Sequence, residues 1–168
     1  IGGVGSGKFC KTEYIKELEK MLFLIELDRK GSNDLVYYED DNIDFHNFCE
    51  MTLDYEENWG SFSDISNLSP VCGISSVNIS CGYYNAHTTD EYVVMEEMEN
   101  SIKATITLIN SGVTNAEQYE YIAYKKTYRY SSYGDSWYDY YDRQNYYYGR
   151  QSLYDDYTPT LSKTSEEK

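Results

Sequence analysis

Basic side chains are scarce in this chain of 168 residues, 14 Lys and Arg against 29 Asp and Glu, and the resulting net charge of −15 removes whole classes of function. So negative a field repels nucleic-acid phosphate and anionic lipid, and it favours cations and basic proteins. Nucleic acid is therefore not expected as a partner. No apolar run approaches the roughly 18 residues of a spanning helix, so no membrane span is expected. No C-x-x-C pair occurs, which excludes the usual zinc and thioredoxin-like spacings. The two histidines, His46 and His87, lack any H-E-x-x-H or comparable spacing, leaving a metal site or catalytic triad without support. An initiator Met and a leader-like segment are also missing, as expected of a processed product.

What is present begins with four cysteines, Cys10, Cys49, Cys72 and Cys81. The even count predicts two disulfides in any of three connectivities, with Cys72 and Cys81 close enough in sequence to close locally. Buried free thiols in a reducing compartment are the alternative. Asn67-Leu68-Ser69 and Asn78-Ile79-Ser80 match the glycosylation acceptor pattern, in agreement with an extracellular or cell-surface location.

The length suits one domain with appendages. Residues 1–11 read as a Gly-rich extended terminus. Over 12–31, Tyr14/Ile15, Leu18, Met21/Leu22 and Ile25 recur at helical spacing and Gly31 is placed to end the turn, predicting an N-terminal helix. Its run Met21-Leu22-Phe23-Leu24-Ile25 is apolar on most sides, which makes Leu22, Phe23 and Ile25 candidate interface residues. Residues 32–130 form the expected globular core. Leu35-Val36-Tyr37-Tyr38 and Ile74–Cys81 read as strands, and Ile43, Phe45, Phe48, Cys49 and Tyr55 supply apolar anchors without a clear period. From Ser101 onward two periods compete. Ile102, Ala104, Ile106 and Leu108 alternate as in a strand, whereas Met95, Met98, Ile102, Ile106 and Ile109 repeat as in a helix behind a capping-box pattern at Thr88–Glu91. The Thr/Ile run favours the strand, with a turn at Asn110-Ser111-Gly112 and a Tyr-rich partner strand over 119–130. Residues 90–99 stay open between helix and strand.

Two words in the sequence suggest chemistry and lack its context. Gly2-Gly3-Val4-Gly5-Ser6-Gly7-Lys8 matches the start of a phosphate-binding P-loop, but Phe9 stands where Ser or Thr holds Mg²⁺ and only Ile1 precedes it. Asp40-Asp41-Asn42-Ile43-Asp44 is acidic enough to attract Ca²⁺ yet lacks the Gly and terminal Glu of an EF-hand loop. No pair of carboxylates is marked out as acid and base. No enzymatic activity and no cofactor are expected.

Eleven of the 21 tyrosines fall between Tyr128 and Tyr157, interleaved with Asp and Arg. This Tyr/Asp-rich extension, 131–161, precedes a mobile end at 162–168. Trp137, Tyr138, Tyr140, Tyr141, Tyr146, Tyr147 and Tyr148 become candidate interface residues, since aromatic faces with hydroxyl tips suit protein or sugar contact. Tyrosine sulfation beside Asp and a low-complexity tail are the two other readings.

Ala104-Thr105-Ile106-Thr107-Leu108-Ile109 running into Asn110-Ser111-Gly112 resembles a strand and turn of the immunoglobulin-like sandwich domains of prokaryotic secreted and surface proteins, a likeness spanning residues 70–130. It implies a non-enzymatic extracellular domain. The N-terminal helix, the two prolines in total and the Tyr-rich extension depart from that pattern. The expected fold is α+β or mainly β, an N-terminal helix beside an antiparallel β-sandwich with two disulfides; an all-α disulfide-linked bundle is the alternative. The expected function is that of an extracellular structural or adhesion protein, a self-assembling filament or surface-layer subunit. A secreted module for a cationic protein or a carbohydrate is the alternative, and a P-loop nucleotide-binding fragment the remote one.

Overall fold

Ser76-Val77-Asn78-Ile79-Ser80 lies at the centre of the molecule, with all five residues buried although every second one is polar. The computed structural model describes residues 3–125, and the elements that cover this strand all come from them. In chain order they are α1 (Val4–Phe9), α2 (Ile15–Leu18), β1 (Leu24–Arg29), β2 (Asp34–Val36), α3 (Ile43–Leu53), β3 (Glu56–Glu57), α4 (Ile65–Cys72), β4 (Ser76–Ser80), β5 (Tyr83–Tyr84), β6 (Tyr92–Val93) and α5 (Met95–Asn115).

Four strands form one mixed sheet in the order β1-β4-β2-β3. β1 runs parallel to β4 with Ile25 beside Val77, and β2 runs antiparallel to β4 with Leu35 beside Ile79. β5 and β6 make a separate two-stranded hairpin. Because side chains alternate across a strand, one sheet face carries Ile25, Leu35, Val77 and Ile79. Against it α3 and α5 bring Phe45, Cys49 and Leu108, with Phe23 and Tyr119 closing the apolar core. The opposite face carries Leu24, Ser76 and Asn78. It is covered by α4 and α2, whose Ile15, Leu18, Leu68 and Cys72 form a second, smaller cluster with Ile74 and Cys10. The fold is thus mixed α/β with helices on both faces of an open four-stranded sheet, and this sheet with the small β5–β6 pair stands where a β-sandwich was expected.

Two expected elements are corrected. The helix predicted over 12–31 is limited to α2, and Leu24–Arg29 is a strand. A short continuous apolar run does not tell a buried strand from a helix, and here Phe23 and Ile25 face the core on the sheet. Ser101 onward belongs to a helix of 21 residues, α5, so the stretch that carries the sandwich likeness is helical. Its threonines are accommodated because Thr105, Thr107 and Thr114 donate their hydroxyls to the carbonyls of Ser101, Lys103 and Asn110 at 2.8–2.9 Å, one turn back. Thr88 and Glu91 shape the preceding turn and do not cap the helix: the Glu91 carboxylate accepts from the His87 N–H, and Val94 holds the N-cap position.

Gly112, expected to turn the chain, sits inside α5 for a packing reason. A Cβ there would lie 2.3 Å from the ring of Phe23. Gly112→Ala is expected to destabilise the fold by about 1–3 kcal/mol through overpacking, despite the better helix propensity of Ala, and a urea melt measures it. Beyond α5 the chain returns across the sheet end as an extended segment. The Tyr119 N–H donates to the carbonyl of Leu22, that of Tyr121 to Gly73, and the carboxylate of buried Asp40 accepts from the N–H groups of Asn42 and Ile122. The predicted strand over 119–130 is realised within the described residues only as isolated bridges, Ile74 with Glu120 and Asp40 with Ala123.

Candidate functional site

The Gly-rich word at the N-terminus does not build a phosphate cradle, and the terminus is not extended. Gly3, at a φ of 68°, starts α1, so Val4 to Phe9 wind into helix and the Gly7 N–H is turned inward to the Gly3 carbonyl. Ser6 is buried and donates to the Asp64 carboxylate at 2.8 Å, while the Asn67 amide donates to Ser6 Oγ at 2.9 Å. These bonds fasten α1 to α4. His46 is buried in α3, its ring stacked on Tyr37 at 3.6 Å with Nδ1 3.8 Å from the Glu57 carboxylate; His87 lies in the exposed turn after β5. Of the acidic run, Asp40 holds the returning segment and Asp44 lies in the first turn of α3. Among the described residues no three His, Cys, Asp or Glu side chains converge as metal ligands.

Cys10, Cys49, Cys72 and Cys81 are all free thiols, which corrects the expectation of two disulfides. Cys72 ends α4 and Cys81 follows β4, so an extended strand of five residues, about 16 Å long, holds the two locally spaced cysteines apart. Burial raises the thiol pKa of Cys49 and Cys72, the inert setting for a cysteine. Both acceptor-pattern asparagines serve the fold. Asn67 lies within α4, and Asn78 is fully buried, so a glycan on Asn78 is incompatible with this packing.

Asn78 organises a polar layer on the sheet face beneath α4. Its Nδ2 donates to Tyr38 Oη at 3.0 Å, Ser63 Oγ at 3.2 Å and the Asp28 carbonyl at 3.3 Å, and its Oδ1 accepts from the Asp28 N–H at 3.0 Å. Ser63 Oγ in turn donates to the Glu26 carboxylate. At the sheet end Arg29 binds Asp34 at 3.0 Å and the Trp59 carbonyl at 2.9 Å, and the Asn58 amide also donates to Asp34. The donors and acceptors of this layer answer one another.

One carboxyl in the layer gives a pH-dependent expectation. Burial raises the pKa of Glu26 above its ordinary value of 4.5, the Ser63 hydroxyl lowers it in part, and Asp28 adds to the rise. A raised folded-state pKa means that the folded chain holds the proton longer than the unfolded one. Stability from this group is therefore complete below the unfolded value and is lost as pH rises through the folded value. Glu26→Gln, which keeps an acceptor for Ser63, is expected to melt higher than the parent at pH 7 and no higher below about pH 4. Paired thermal melts across that range check it.

An unpartnered apolar surface exists on α5. The helix buries Ser101, Leu108 and Gly112, and it exposes Met95, Ile102, Ile106, Ile109 and Val113 at 45–66% of their full area. The last four recur at intervals of four, three and four, so they form one stripe on a helix about 30 Å long. The sequence signal that marks this surface is the helical repeat Met95, Ile102, Ile106, Ile109, which the strand reading set aside. Of the expected interface residues, Leu22, Phe23 and Ile25 are half-buried, with Phe23 and Ile25 packed on the core. Trp137, Tyr138, Tyr140, Tyr141, Tyr146, Tyr147 and Tyr148 lie outside the described residues.

Charge divides the chain sharply. From Gly31 to Ile102 there is no Lys or Arg, against fifteen carboxylates. Residues 1–125 hold 22 of the 29 acidic and 8 of the 14 basic side chains, so the negative excess belongs to the fold and not to the Tyr-rich extension. α3 and α5 carry Asp44, Glu50, Glu96, Glu97 and Glu99 against Lys103 alone. Lys8, Lys11, Lys16 and Lys20 are exposed on the N-terminal segment, whose α2 packs over the other sheet face. Comparison with protein-family models, with characterised proteins and with solved structures returned no match.

Proposed function

We propose that the chain is a non-enzymatic, self-associating structural subunit, with the outer face of α5 as a principal contact surface. The observation that carries this reading is the stripe Ile102, Ile106, Ile109 and Val113, β-branched side chains left in water on a helix whose other face is packed on the core. A contiguous apolar surface of this kind marks a site of contact with another chain. The polar layer around Asn78 supports the non-enzymatic side of the reading, because its groups bind one another and not a reacting atom. Placement outside the cell has less support than the sequence alone suggested: the cysteines are unpaired and one of the two acceptor asparagines is sealed in the fold.

Sedimentation velocity over a rising concentration series tests the proposal. The full chain is expected to associate, and Ile106→Asp, at a position 53% exposed, is expected to weaken association at least about thirtyfold while the chain stays folded as judged by circular dichroism. A chain that stays monomeric at every concentration overturns the reading.

A further inference from the structure

We infer that the association is a symmetric dimer in which β1 pairs antiparallel with β1 of a second copy, joining two four-stranded sheets into one, while the two α5 stripes pack on each other beside the join. This inference rests on the reading of the chain as a self-associating subunit and names the rest of its interface.

β1 closes one side of the sheet, and with six residues it is the longest strand there. The Leu24 N–H donates to the Ser75 carbonyl at 2.9 Å, and Leu24 and Glu26 lie beside Ser76 and Asn78 of β4. Backbone groups alternate in direction along a strand, so those of Phe23 and Ile25 point to the open edge. No backbone group among the described residues bonds to them there. Such an edge is a template for another strand. The bulge between Glu26 and Arg29 confines it to the stretch from Phe23 to Leu27.

Charge selects the register. An axis at Ile25 sets Ile25 opposite its own copy, Phe23 opposite Leu27 and Glu26 opposite Leu24, so no two carboxylates meet. An axis at Leu27 would set Glu26 against Asp28, a like-charge pair that destabilises a ladder.

The α5 stripe lies on the same side of the fold as this edge. The Val94 N–H, at the start of α5, donates to the carbonyl of Gly82 just past β4, and near the other end Gly112 abuts Phe23 just ahead of β1. The helix therefore runs over β1 and β4, antiparallel to both. α3 packs beside it and reaches Tyr37 and Glu57 on the side of β2 and β3. At about 100° of rotation per residue, half-buried Ala104 and Ser111 fall on one flank of the buried line Ser101, Leu108 and Gly112, and the stripe falls on the other. The half-buried flank is the one that meets α3, so the stripe faces the β1 edge. Lys103 is the only charged residue from Ile102 to Val113, and nothing ionic opposes a self-contact.

One axis serves both halves of the contact. Ile25 lies about 6.6 Å beyond Phe23 along the strand, and about 6 Å back along the helix from Gly112 lies Leu108, level with the middle of the stripe. A twofold axis at Ile25 thus sets Ile106 against Ile109 and Ile102 against Val113. It also places the two helices, each over its own β1 and β4, about two strand spacings or 10 Å apart, the distance at which helices pack.

Amide hydrogen exchange on the full chain tests this. In the dilute monomer the Ile25 amide is expected to exchange as an unbonded group, and at concentrations where the chain associates it is expected to slow at least about tenfold. The smallest associated species is expected to be a dimer, because a twofold contact is closed. Leu27→Lys, at a position 41% exposed, puts a charge on the edge and is expected to weaken association at least about tenfold. If that variant fails to fold as judged by circular dichroism, the exchange measurement decides alone. If the parent associates while the Ile25 amide exchanges as fast as in the monomer, or while folded Leu27→Lys associates as the parent does, the strand pairing is wrong and self-association through α5 stands. If the parent itself never associates, both fall.

Discussion

Phe45→Ala is expected to cost about 3–5 kcal/mol, the range for removing a large aromatic side chain from a packed core. Phe45 has no exposed surface, and its ring centre lies 5.2 Å from Tyr119, 5.8 Å from Phe23 and 6.0 Å from Tyr37. These neighbours belong to different parts of the chain: Phe23 precedes β1, Tyr37 follows β2, and Tyr119 lies on the segment that returns after α5. The cavity left by truncation would be walled by three elements that the sheet and the helices hold in place, so collapse into it is restricted. A native domain has only about 5–15 kcal/mol of stability in total, and this single change removes a large part of it. Denaturant unfolding should show a lower midpoint at an unchanged slope. A loss below about 1 kcal/mol would mean that the aromatic cluster is not the centre of the fold.

The distribution of that core explains which elements were legible in the sequence. β4 and β2 fall within the two segments read as strands, because Val77, Ile79 and Val36 are good strand formers and, with Leu35, are buried. The period of α3 was unreadable, since its buried set, Phe45, His46 and Cys49, includes a polar ring that an apolar pattern omits. α5 was misread because its Ile positions carry two signals at once. The alternation from Ile102 to Leu108 mixes residues that face water with one that faces the core, and only the period of the exposed set is a true structural repeat. Gly112 looked like a turn because the ring of Phe23, 89 positions earlier in the chain, cannot be seen from its local sequence. The α5 surface was written in the sequence as a helical repeat; the polar layer was not. Ser76, Asn78 and Ser80 imitate the solvent side of a half-buried strand, and nothing local discloses that Ser69 meets Ser76, that Tyr38 and Ser63 meet Asn78, or that the Asp34 backbone meets Ser80.

That concealed polar layer yields the sharpest charge test of the fold. Asn78→Asp preserves the shape of the side chain, yet it is expected to cost at least about 3 kcal/mol at pH 7, the scale of a buried charge left without a partner. The side chain is fully buried. Its Nδ2 now donates to the Asp28 carbonyl, Tyr38 Oη and Ser63 Oγ, and an ionised carboxylate can donate to none of them. The nearby Glu26 carboxyl is already held above its ordinary pKa by burial, and the Arg29 guanidinium is committed to Asp34 and the Trp59 carbonyl. No cation remains in the layer to offset the introduced charge. Asn78→Leu separates the two contributions, since it removes the hydrogen bonds without adding charge and is expected to cost about 1–3 kcal/mol. The introduced carboxyl will have a folded-state pKa above its unfolded value of about 3.9, so its penalty is absent below that value and grows as pH rises through the folded one. The Asp variant is therefore expected to be the less stable of the two at pH 7 and to approach the Leu variant as pH falls towards 4. A penalty for Asn78→Asp that does not change with pH would show that the side chain reaches water, and that the layer beneath α4 is open.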